Sequence, residues 1–298
     1  MGASSITAEQ LAGFQRDGYA VLEGFTSQAA CDGLRQRAEV LVGRLVDALT
    51  PEEISIFRAS DGALNSDRYF LDSGDKIRCF FEEDAWNERG ELVASPLRCI
   101  NKLGHAMHDL DDTFGRFSRA PEVCDLVGQL GMGQPLALQS MYIFKQPRIG
   151  GEVTYHQDAT YLYTEPTSVI GLWWALEDAT IENGCLWVWP GGHRIGLGSR
   201  LLRGPDDTVR YHRHDPPLYR AAGAESVGPE WPRDRFVPVE VPRGTLVLLH
   251  GLLPHGSAPN RSTRSRHAYA LHVIDGACAY PEDNWLHRGQ DMPLRGFE

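Results

Sequence analysis

The sequence has no apolar run long enough to cross a membrane, since a spanning helix needs about 20 predominantly apolar residues. Its first residues lack the basic and apolar segments of a secretory signal, and its last three are not the Ser-Lys-Leu of a peroxisomal signal. Cysteine pairs of the CxxC type are also missing, which argues against a cysteine zinc site or a redox motif. We therefore expect a soluble, cytoplasmic protein whose six cysteines are reduced, namely Cys31, Cys79, Cys99, Cys124, Cys185 and Cys278.

Basic residues are in the minority. The chain has 29 Lys and Arg against 40 Asp and Glu, which gives a formal net charge of −11. Binding to a nucleic-acid backbone requires clustered Lys and Arg, so we expect no nucleic-acid partner. A local basic pocket for an anionic small molecule remains compatible with this composition. We expect the partner to be a small-molecule substrate.

The chain also lacks internal repeats and low-complexity linkers, and 298 residues are compatible with one domain, 1–298. We predict a helix-rich part over 1–134, with helices that begin near Thr7 and at Thr26 or Ser27, and a further helix over 121–130. Residues 135–298 instead contain short runs rich in β-branched and aromatic residues between turn residues. These runs are 135–145, 168–176, 185–189, 236–240, 244–249 and 266–273. They predict a mainly β fold with flanking helices, a sandwich or double-sheet jelly roll.

An insertion of about 196–235 interrupts the strand pattern, because it is weakly periodic and contains no clear strand. So long a segment inside a compact domain is either a lid or substrate-binding loop, or a disordered surface loop. Its arginines, Arg200, Arg203, Arg210 and Arg213, could meet an anionic substrate or balance nearby aspartates.

A His-x-Asp pair at His156 and Asp158 is the first indication of chemistry. In extended backbone, residues two apart point to the same side, so both side chains can reach one metal ion. About a hundred residues later, His255 follows a predicted strand, with His250 as a competing candidate. Two histidines and one carboxylate on one face leave open positions, which suits Fe(II) and the activation of O2.

An oxygen-activating iron needs a two-electron co-reductant, and 2-oxoglutarate can chelate iron through its 2-oxo acid end. Its far carboxylate then needs a fixed cation, and arginine provides a bidentate one. Arg264, nine residues after His255, is our candidate for this role. The alternative is that Arg264 is a surface charge, because 261–266 is a basic run.

These residues resemble the pattern of the phytanoyl-CoA dioxygenase (PhyH) family of Fe(II)/2-oxoglutarate oxygenases. The resemblance extends to Glu-Asn-Gly-Cys-Leu at 182–186, to Pro-Gly-Gly-His at 190–193 and to residues 140–146. The motifs at 75–78, 100–105 and 281–285 narrow it to one subgroup of the family. The similarity therefore covers nearly the whole chain and is more specific than the iron motif alone.

The resemblance implies a double-stranded β-helix (jelly roll, cupin-like) fold and a hydroxylase that uses Fe(II), 2-oxoglutarate and O2. It implies that His156, Asp158 and His255 hold the iron. It also implies that Lys102, Met141 and Trp173 contact 2-oxoglutarate. Related halogenases replace the carboxylate ligand with a small residue, so the presence of Asp158 implies hydroxylation or another oxidation.

Two alternatives come from other functional classes. The same barrel supports cupin-like, metal-dependent enzymes without redox chemistry, and it also supports non-catalytic 2-oxoglutarate-binding proteins. An anchor for a dicarboxylate argues against the first alternative, and an intact ligand set argues against the second.

Overall fold

The computed structural model describes residues 6–50, 53–57, 66–224 and 230–297. The helices in these ranges are α1 (Ala8–Asp17), α2 (Gln28–Ala48), α3 (Arg68–Leu71), α4 (Met107–Leu110), α5 (Asp112–Ser118) and α6 (Pro121–Gln129). The strands are β1 (Tyr19–Leu22), β2 (Ile77–Phe81), β3 (Ile100–His105), β4 (Pro135–Ile143), β5 (Val153–His156), β6 (Ile170–Ala175), β7 (Leu186–Val188), β8 (Leu197–Arg203), β9 (Val209–Leu218), β10 (Val237–Val239), β11 (Leu246–His250), β12 (His255–Ser257) and β13 (Ala268–Asp275). Among the described helices, none combines the length and apolar character that a membrane span requires.

Local sequence explains where the helices begin and end. Thr7 and Gln10 form a capping box at the start of α1, because the Thr7 hydroxyl accepts from the Gln10 backbone N–H while the Gln10 side chain accepts from Thr7 N–H. The helix ends at Gly18, whose φ of 82° favours glycine. Ser27, and not Thr26, begins α2 by accepting from Ala30 N–H. The predicted helix over 121–130 is confirmed as α6.

Seven strands form a large sheet in the order β1-β11-β6-β13-β4-β3-β2. A smaller sheet has the order β10-β7-β12-β5. All six predicted strand runs are present, as β4, β6, β7, β10, β11 and β13. The mainly β, jelly-roll fold that the sequence predicts is therefore confirmed. The helix-rich N-terminal part also supplies β1, β2 and β3 to the large sheet. The sequence predicts a short strand at Tyr19–Leu22, which is confirmed as β1, whereas β2 and β3 were missed.

The large sheet is buried on both faces. On one face, Trp174 of β6 packs against Phe117 of α5 and Tyr269 of β13, with ring centroids 5.2 and 5.7 Å apart. On the other face, Trp173 belongs to a core shared with residues of the smaller sheet such as Val188 and Val239. Adjacent residues on a strand point to opposite faces, so the Trp-Trp pair contributes to both cores. The functional residues lie on the Trp173 side, between the two sheets.

The insertion is not devoid of strands. Most of its described residues form the hairpin β8–β9, paired from Leu197 with Leu218 to Arg203 with Val209, and residues 225–229 lie outside the described part. The sequence prediction of a non-strand segment is therefore wrong. Period-2 alternation is absent because most residues of β9 are exposed.

Candidate metal centre and adjoining cavity

The register of two neighbouring strands brings the predicted iron ligands together. His156 is the last residue of β5, and it pairs directly with His255, the first residue of β12. Gln157 keeps extended backbone, with φ −116° and ψ 133°, before Asp158 begins a short 3-10 turn. Asp158 Oδ1 therefore lies 3.6 Å from His156 Nε2 and 3.6 Å from His255 Nε2.

These three donor atoms fit a metal ion. Each histidine Nδ1 contacts a backbone carbonyl, Thr154 O at 2.8 Å and Leu253 O at 2.9 Å, and a carbonyl can only accept a hydrogen bond. The proton therefore resides on Nδ1, and the Nε2 lone pair is free to coordinate. Two donors that each lie about 2.1 Å from one ion are separated by roughly 3 to 4 Å, which agrees with the observed spacing. Burial lowers the pKa of His255 to about 4, so its imidazole is neutral, as a ligand must be.

Asp158 is almost completely buried, at 6% exposure. Burial acts to raise its pKa, but His272, His255 and His156 outweigh burial and hold the pKa well below its usual range. His272 Nε2 lies 3.3 Å from Asp158 Oδ2, on the side away from the other two ligands. The carboxylate is therefore anionic, with Oδ1 directed at the metal position and Oδ2 towards His272.

His250 does not join this group. Its Nδ1 accepts from Leu252 N–H at 3.1 Å, and its ring lies 5.1 Å from that of His193 and 6.1 Å from that of Phe14. Among the described residues, His156, Asp158 and His255 form a cluster of three side chains that could hold a metal ion. The choice of His255 over His250 thus agrees with the geometry.

A cavity of about 370 Å³ opens beside the triad. This volume is in the range that small-molecule sites occupy. Its walls are mainly aromatic and apolar, and a few polar side chains point inward. The residues that line it include Lys102, His105, Gln139, Met141, Tyr161 and Trp285.

Lys102 and Met141 both line this cavity, on the adjacent strands β3 and β4. Lys102 Nζ lies 3.8 Å from Met141 Sδ and 3.3 Å from the centroid of the Phe57 ring. Burial lowers the pKa of this amine well below its ordinary value. No carboxylate of the described residues pairs with Lys102, so the amine is available to a ligand.

Arg264 requires a correction, because the structure does not bring it to the cavity. It is exposed and lies in a separate surface cleft with Arg98, Glu177 and Arg243. The cause is the turn after β12. Asn260 Nδ2 donates to Arg264 O at 2.7 Å, and Ser262 Oγ accepts from Arg264 N–H at 3.1 Å. These hydrogen bonds keep residues 260–264 in a turn at the surface, where Arg264 is exposed.

Arg266, two residues later, is 1% exposed. Its Nε donates to Gly184 O at 2.9 Å and its Nη2 to Ser257 Oγ at 3.4 Å, while Nη1 is buried without a partner in the described structure. The guanidinium lies 5.2 Å from the Trp173 ring, and burial lowers its pKa to about 10. A buried guanidinium without a paired carboxylate is costly, so this position calls for an anionic ligand.

The strand register connects Arg266 to the remaining predicted residue. Trp173 pairs with Ala270, and Ala270 pairs with Met141, so all three share a row on the inner face of the large sheet. Arg266 precedes Ala270 by four residues, so alternation places it on the same face, and its guanidinium lies 5.2 Å from the Trp173 ring. Trp174 points to the opposite face, so it cannot take the place of Trp173.

The arginines of the insertion have separate roles. Arg200 Nη2 lies 2.5 Å from Asp283 Oδ1. Arg203 forms ion pairs with Asp207 and Asp72. Both arginines therefore stabilise the hairpin. Arg213 lines the cavity instead, beside Tyr211. Residues of both strands of the hairpin, among them Ser199 and Tyr211, thus line the cavity.

Sequence reasoning missed two buried residues, Arg266 and His272. A usable signal was present, because the run 266–273 predicts a strand on which even-numbered residues share one face. That alternation places Arg266 and His272 on the face of the two small residues, Ala268 and Ala270. An arginine and a histidine on an otherwise apolar strand face indicate a site.

A family model, that of phytanoyl-CoA dioxygenase (PhyH), matches residues 14–268. A mouse (Mus musculus) protein named "Phytanoyl-CoA dioxygenase domain-containing protein 1" is 41% identical over 296 residues, covering 97% of each chain. This name is that of the subgroup indicated by the flanking motifs, so the sequence resemblance is confirmed.

Solved structures resemble the fold at lower identity. SnoK, a "non-heme alpha ketoglutarate dependent carbocyclase", superposes with a TM-score of 0.64 at 17% identity, covering 99% of this chain and 98% of its own. EctD from S. alaskensis with 2-oxoglutarate and 5-hydroxyectoine gives 0.59 at 18% identity, covering 95% and 88%. At these identities the likeness concerns the fold alone.

Proposed function

The chain belongs to the phytanoyl-CoA dioxygenase (PhyH) family, and on that premise we propose that it is an Fe(II)- and 2-oxoglutarate-dependent dioxygenase. The proposed reaction hydroxylates a C–H bond of a small or medium-sized organic substrate and converts 2-oxoglutarate and O2 to succinate and CO2. One observation carries the proposal. The Nε2, Nε2 and Oδ1 atoms of His156, His255 and Asp158 converge. A buried arginine without a carboxylate partner, Arg266, lies between the same two sheets, because it contacts Ser257 of β12 and lies 5.2 Å from the Trp173 ring of β6.

His156, Asp158 and His255 would hold the iron, and when bound the iron supplies the activation of O2 and the oxidation of the substrate. The chain's part is to keep the donor atoms fixed and correctly protonated. The carbonyls of Thr154 and Leu253 do so for the two histidines. His272 supports the carboxylate oxygen that does not face the metal.

Arg266 would bind the far carboxylate of 2-oxoglutarate. Its free Nη1 and the Ser257 hydroxyl, which contacts Nη2, provide a charged fork for that carboxylate. Trp173, beside the guanidinium, forms a wall along the path from Arg266 to the metal position. This assignment moves the anchor from Arg264 to Arg266 and retains the rest of the predicted cofactor set.

Lys102 and Met141 would complete the cofactor site from the neighbouring strands β3 and β4 of the large sheet. The Lys102 amine has aromatic and sulfur neighbours and no carboxylate partner in the described structure, so it can donate to a carboxylate of 2-oxoglutarate. Two proteins of similar fold support this use. SnoK is described as alpha ketoglutarate dependent, and EctD was solved with 2-oxoglutarate.

The hairpin β8–β9 would cover the reacting centre. The ring of Tyr161 lies 5.8 Å from that of His156, and its hydroxyl lies 3.1 Å from the Tyr211 hydroxyl of β9. This pair of tyrosines forms a wall between the metal position and the exposed face of the hairpin. Its function would be to limit access of water and to direct the substrate towards the metal.

The two neighbouring arginines offer a matched test. Arg266→Gln is expected to raise the dissociation constant for 2-oxoglutarate on the order of 100-fold, because truncating one partner of a buried charge pair costs about 2–5 kcal/mol. Arg264→Gln is expected to change it by less than about twofold, since exposed charges contribute little. Calorimetric titration of 2-oxoglutarate into the anaerobic Fe(II) protein measures both.

Turnover separates the proposed enzyme from its alternatives. Succinate that forms in an Fe(II)- and O2-dependent manner supports the oxygenase. Binding of 2-oxoglutarate with no succinate, even with a broad panel of small molecules, would favour a non-catalytic binding protein. Equal 2-oxoglutarate affinity in the parent and the Arg266 variant would contradict the assigned anchor.

A further inference from the structure

His105, at the end of β3, is a fully buried histidine that the proposed chemistry does not use. Its ring lines the cavity and is enclosed by Phe70 and Trp285, with centroids 5.5 and 5.3 Å away. It is not one of the clustered metal-binding side chains. The hydrogen bond that His105 can offer a ligand depends on which of its two ring nitrogens carries the proton.

Ser73 determines the tautomer. Its hydroxyl contacts both Phe70 O and His105 Nδ1, the latter at 2.7 Å. Phe70 O is a carbonyl and can only accept, so the single hydroxyl hydrogen of Ser73 is donated there. Ser73 Oγ must then accept from His105, which places the ring proton on Nδ1. His105 Nε2 consequently presents a lone pair.

Burial disfavours the doubly protonated ring as well. The pKa of His105 is held well below its usual value, chiefly by burial and to a smaller extent by Lys102, His272 and Arg288 nearby. The imidazole is therefore neutral, and Nε2 acts as an acceptor of hydrogen bonds.

Nε2 is buried and has no hydrogen-bond partner among the described residues. An unsatisfied acceptor in a buried site costs about 1–3 kcal/mol, which a ligand that supplies a donor would recover. Asp158, already assigned to the metal, is the acidic residue among the described residues that line the cavity. A cationic donor would find no free counter-ion there.

We propose that His105 Nε2 accepts a hydrogen bond from the primary substrate, which therefore carries an uncharged donor, a hydroxyl or an amide N–H, next to an apolar body. The apolar body would pack against Phe70 and Trp285, and the donor would fix its orientation. His105 is thus a specificity-determining residue, and Ser73 is a positioning residue that acts through it. The inference relies on the proposed function for the claim that this cavity holds the substrate.

Three probes of similar size test the polarity of the site. Benzyl alcohol donates and accepts, benzaldehyde only accepts, and ethylbenzene does neither. Their dissociation constants are measured by ligand-observed NMR on the full chain loaded anaerobically with Fe(II) and 2-oxoglutarate. We expect the parent to prefer benzyl alcohol over benzaldehyde, and His105→Phe to reduce that ratio by about tenfold, the effect of one hydrogen bond.

Ser73→Ala tests whether Ser73 acts through the tautomer of His105. Loss of a purely structural contact would not reverse the preference between hydrogen-bond donors and acceptors. Without Ser73 as acceptor, the ring proton is free to move to Nε2, which then donates. The affinity for benzaldehyde is therefore expected to rise relative to that for benzyl alcohol. Tm and 2-oxoglutarate affinity, measured for each variant, show whether the cavity is intact.

The outcomes are separable from those of the proposed function, because NMR binding requires no turnover. A parent with no preference for benzyl alcohol, or no binding of it up to its solubility limit, would overturn the inference. So would an unchanged ratio in a folded His105→Phe or Ser73→Ala variant. Tighter binding of benzylamine than of benzyl alcohol would contradict the proposal that the substrate's donor group is uncharged. If the parent prefers the donor probe but forms no succinate, the result would contradict the proposed oxygenase activity and leave the role of His105 unaffected.

Discussion

Gly171 lies on β6 directly opposite His272 of β13, and its lack of a side chain makes room for Asp158. A Cβ at this position would lie 3.1 Å from Asp158 Oδ2 and 3.7 Å from His272 Cδ2. The first distance is tight and the second is an ordinary contact, so an added methyl group must displace the carboxylate of Asp158. The orientation of one metal ligand therefore depends on a glycine that contacts no metal.

Gly171→Ala is expected to lower Fe(II) affinity on the order of tenfold, as changes in the groups supporting a metal ligand commonly do. The matched control is Gly198→Ala on β8, where an added Cβ meets nothing within 4 Å. Anaerobic titration with Fe(II), monitored by calorimetry, compares the two. Equal affinities would show that Asp158 tolerates the displacement, contrary to this account.

At the scale of elements, Arg203 is one of the residues that attach the hairpin β8–β9 to the body of the protein. The guanidinium is 9% exposed and donates to Leu71 O at 2.9 Å and to Trp285 O at 3.3 Å. It also pairs with Asp72, at 3.2 Å, and with Asp207, at 2.7 Å. The hairpin is thus fixed next to residues that line the cavity.

Arg203→Ala is expected to speed amide exchange over 197–218 by roughly 30-fold, since hydrogen bonds to charged groups contribute about 1.5–3 kcal/mol. Hydrogen–deuterium exchange measures this segment directly. Arg210→Ala, an exposed position on the same hairpin, should leave the exchange unchanged. The same protection in both variants would mean that Arg203 does not hold the hairpin.

The elements also show which features a sequence pattern can predict. Runs with a strong local signal, such as 170–175 with its Trp-Trp pair, were found because burial on both faces leaves a continuous apolar run. The hairpin β8–β9 was missed because most of β9 is exposed and carries no alternation. Its pairing depends on contacts such as that of Arg200 with Asp283, 83 positions away, which no local pattern contains.

The residues of the site also divide into those that a local sequence pattern predicts and those that it does not. His156 and Asp158 were predictable, because extended backbone alone places residues two apart on one side. The proposed anchor, Arg266, lies two residues after the predicted one, Arg264, because the turn built on Asn260 keeps Arg264 at the surface. That turn is a set of side-chain-to-backbone hydrogen bonds, and spacing along the chain does not reveal it.

At the scale of the whole molecule, buried neutral histidines make stability depend on pH. Burial lowers the pKa of His250 and His267 to about 4 in the folded protein, compared with about 6.5 in an unfolded chain. The unfolded state therefore binds more protons between these values. The stabilisation is fully present above about pH 6.5 and is lost as the pH falls towards about 4.

The unfolding free energy of the metal-free protein is expected to fall by about 1.4 kcal/mol per pH unit for each such histidine. Urea unfolding at a series of pH values from about 6.5 down to about 4.5 measures the slope. His250→Gln should reduce the slope by one proton, whereas His287→Gln, at an exposed position, should not change it. A stability that is flat over this range would show that these histidines titrate normally.

The central claim is that His156, Asp158 and His255 hold Fe(II) with 2-oxoglutarate bound beside it. Anaerobic addition of Fe(II) and then 2-oxoglutarate to the full chain, followed by visible spectroscopy, tests this most directly. We predict a weak charge-transfer band that saturates at one equivalent of each, and succinate on admission of O2, with both lost in Asp158→Ala. Absence of the band and of succinate in the parent, or an Asp158→Ala variant that behaves like the parent, would contradict the account.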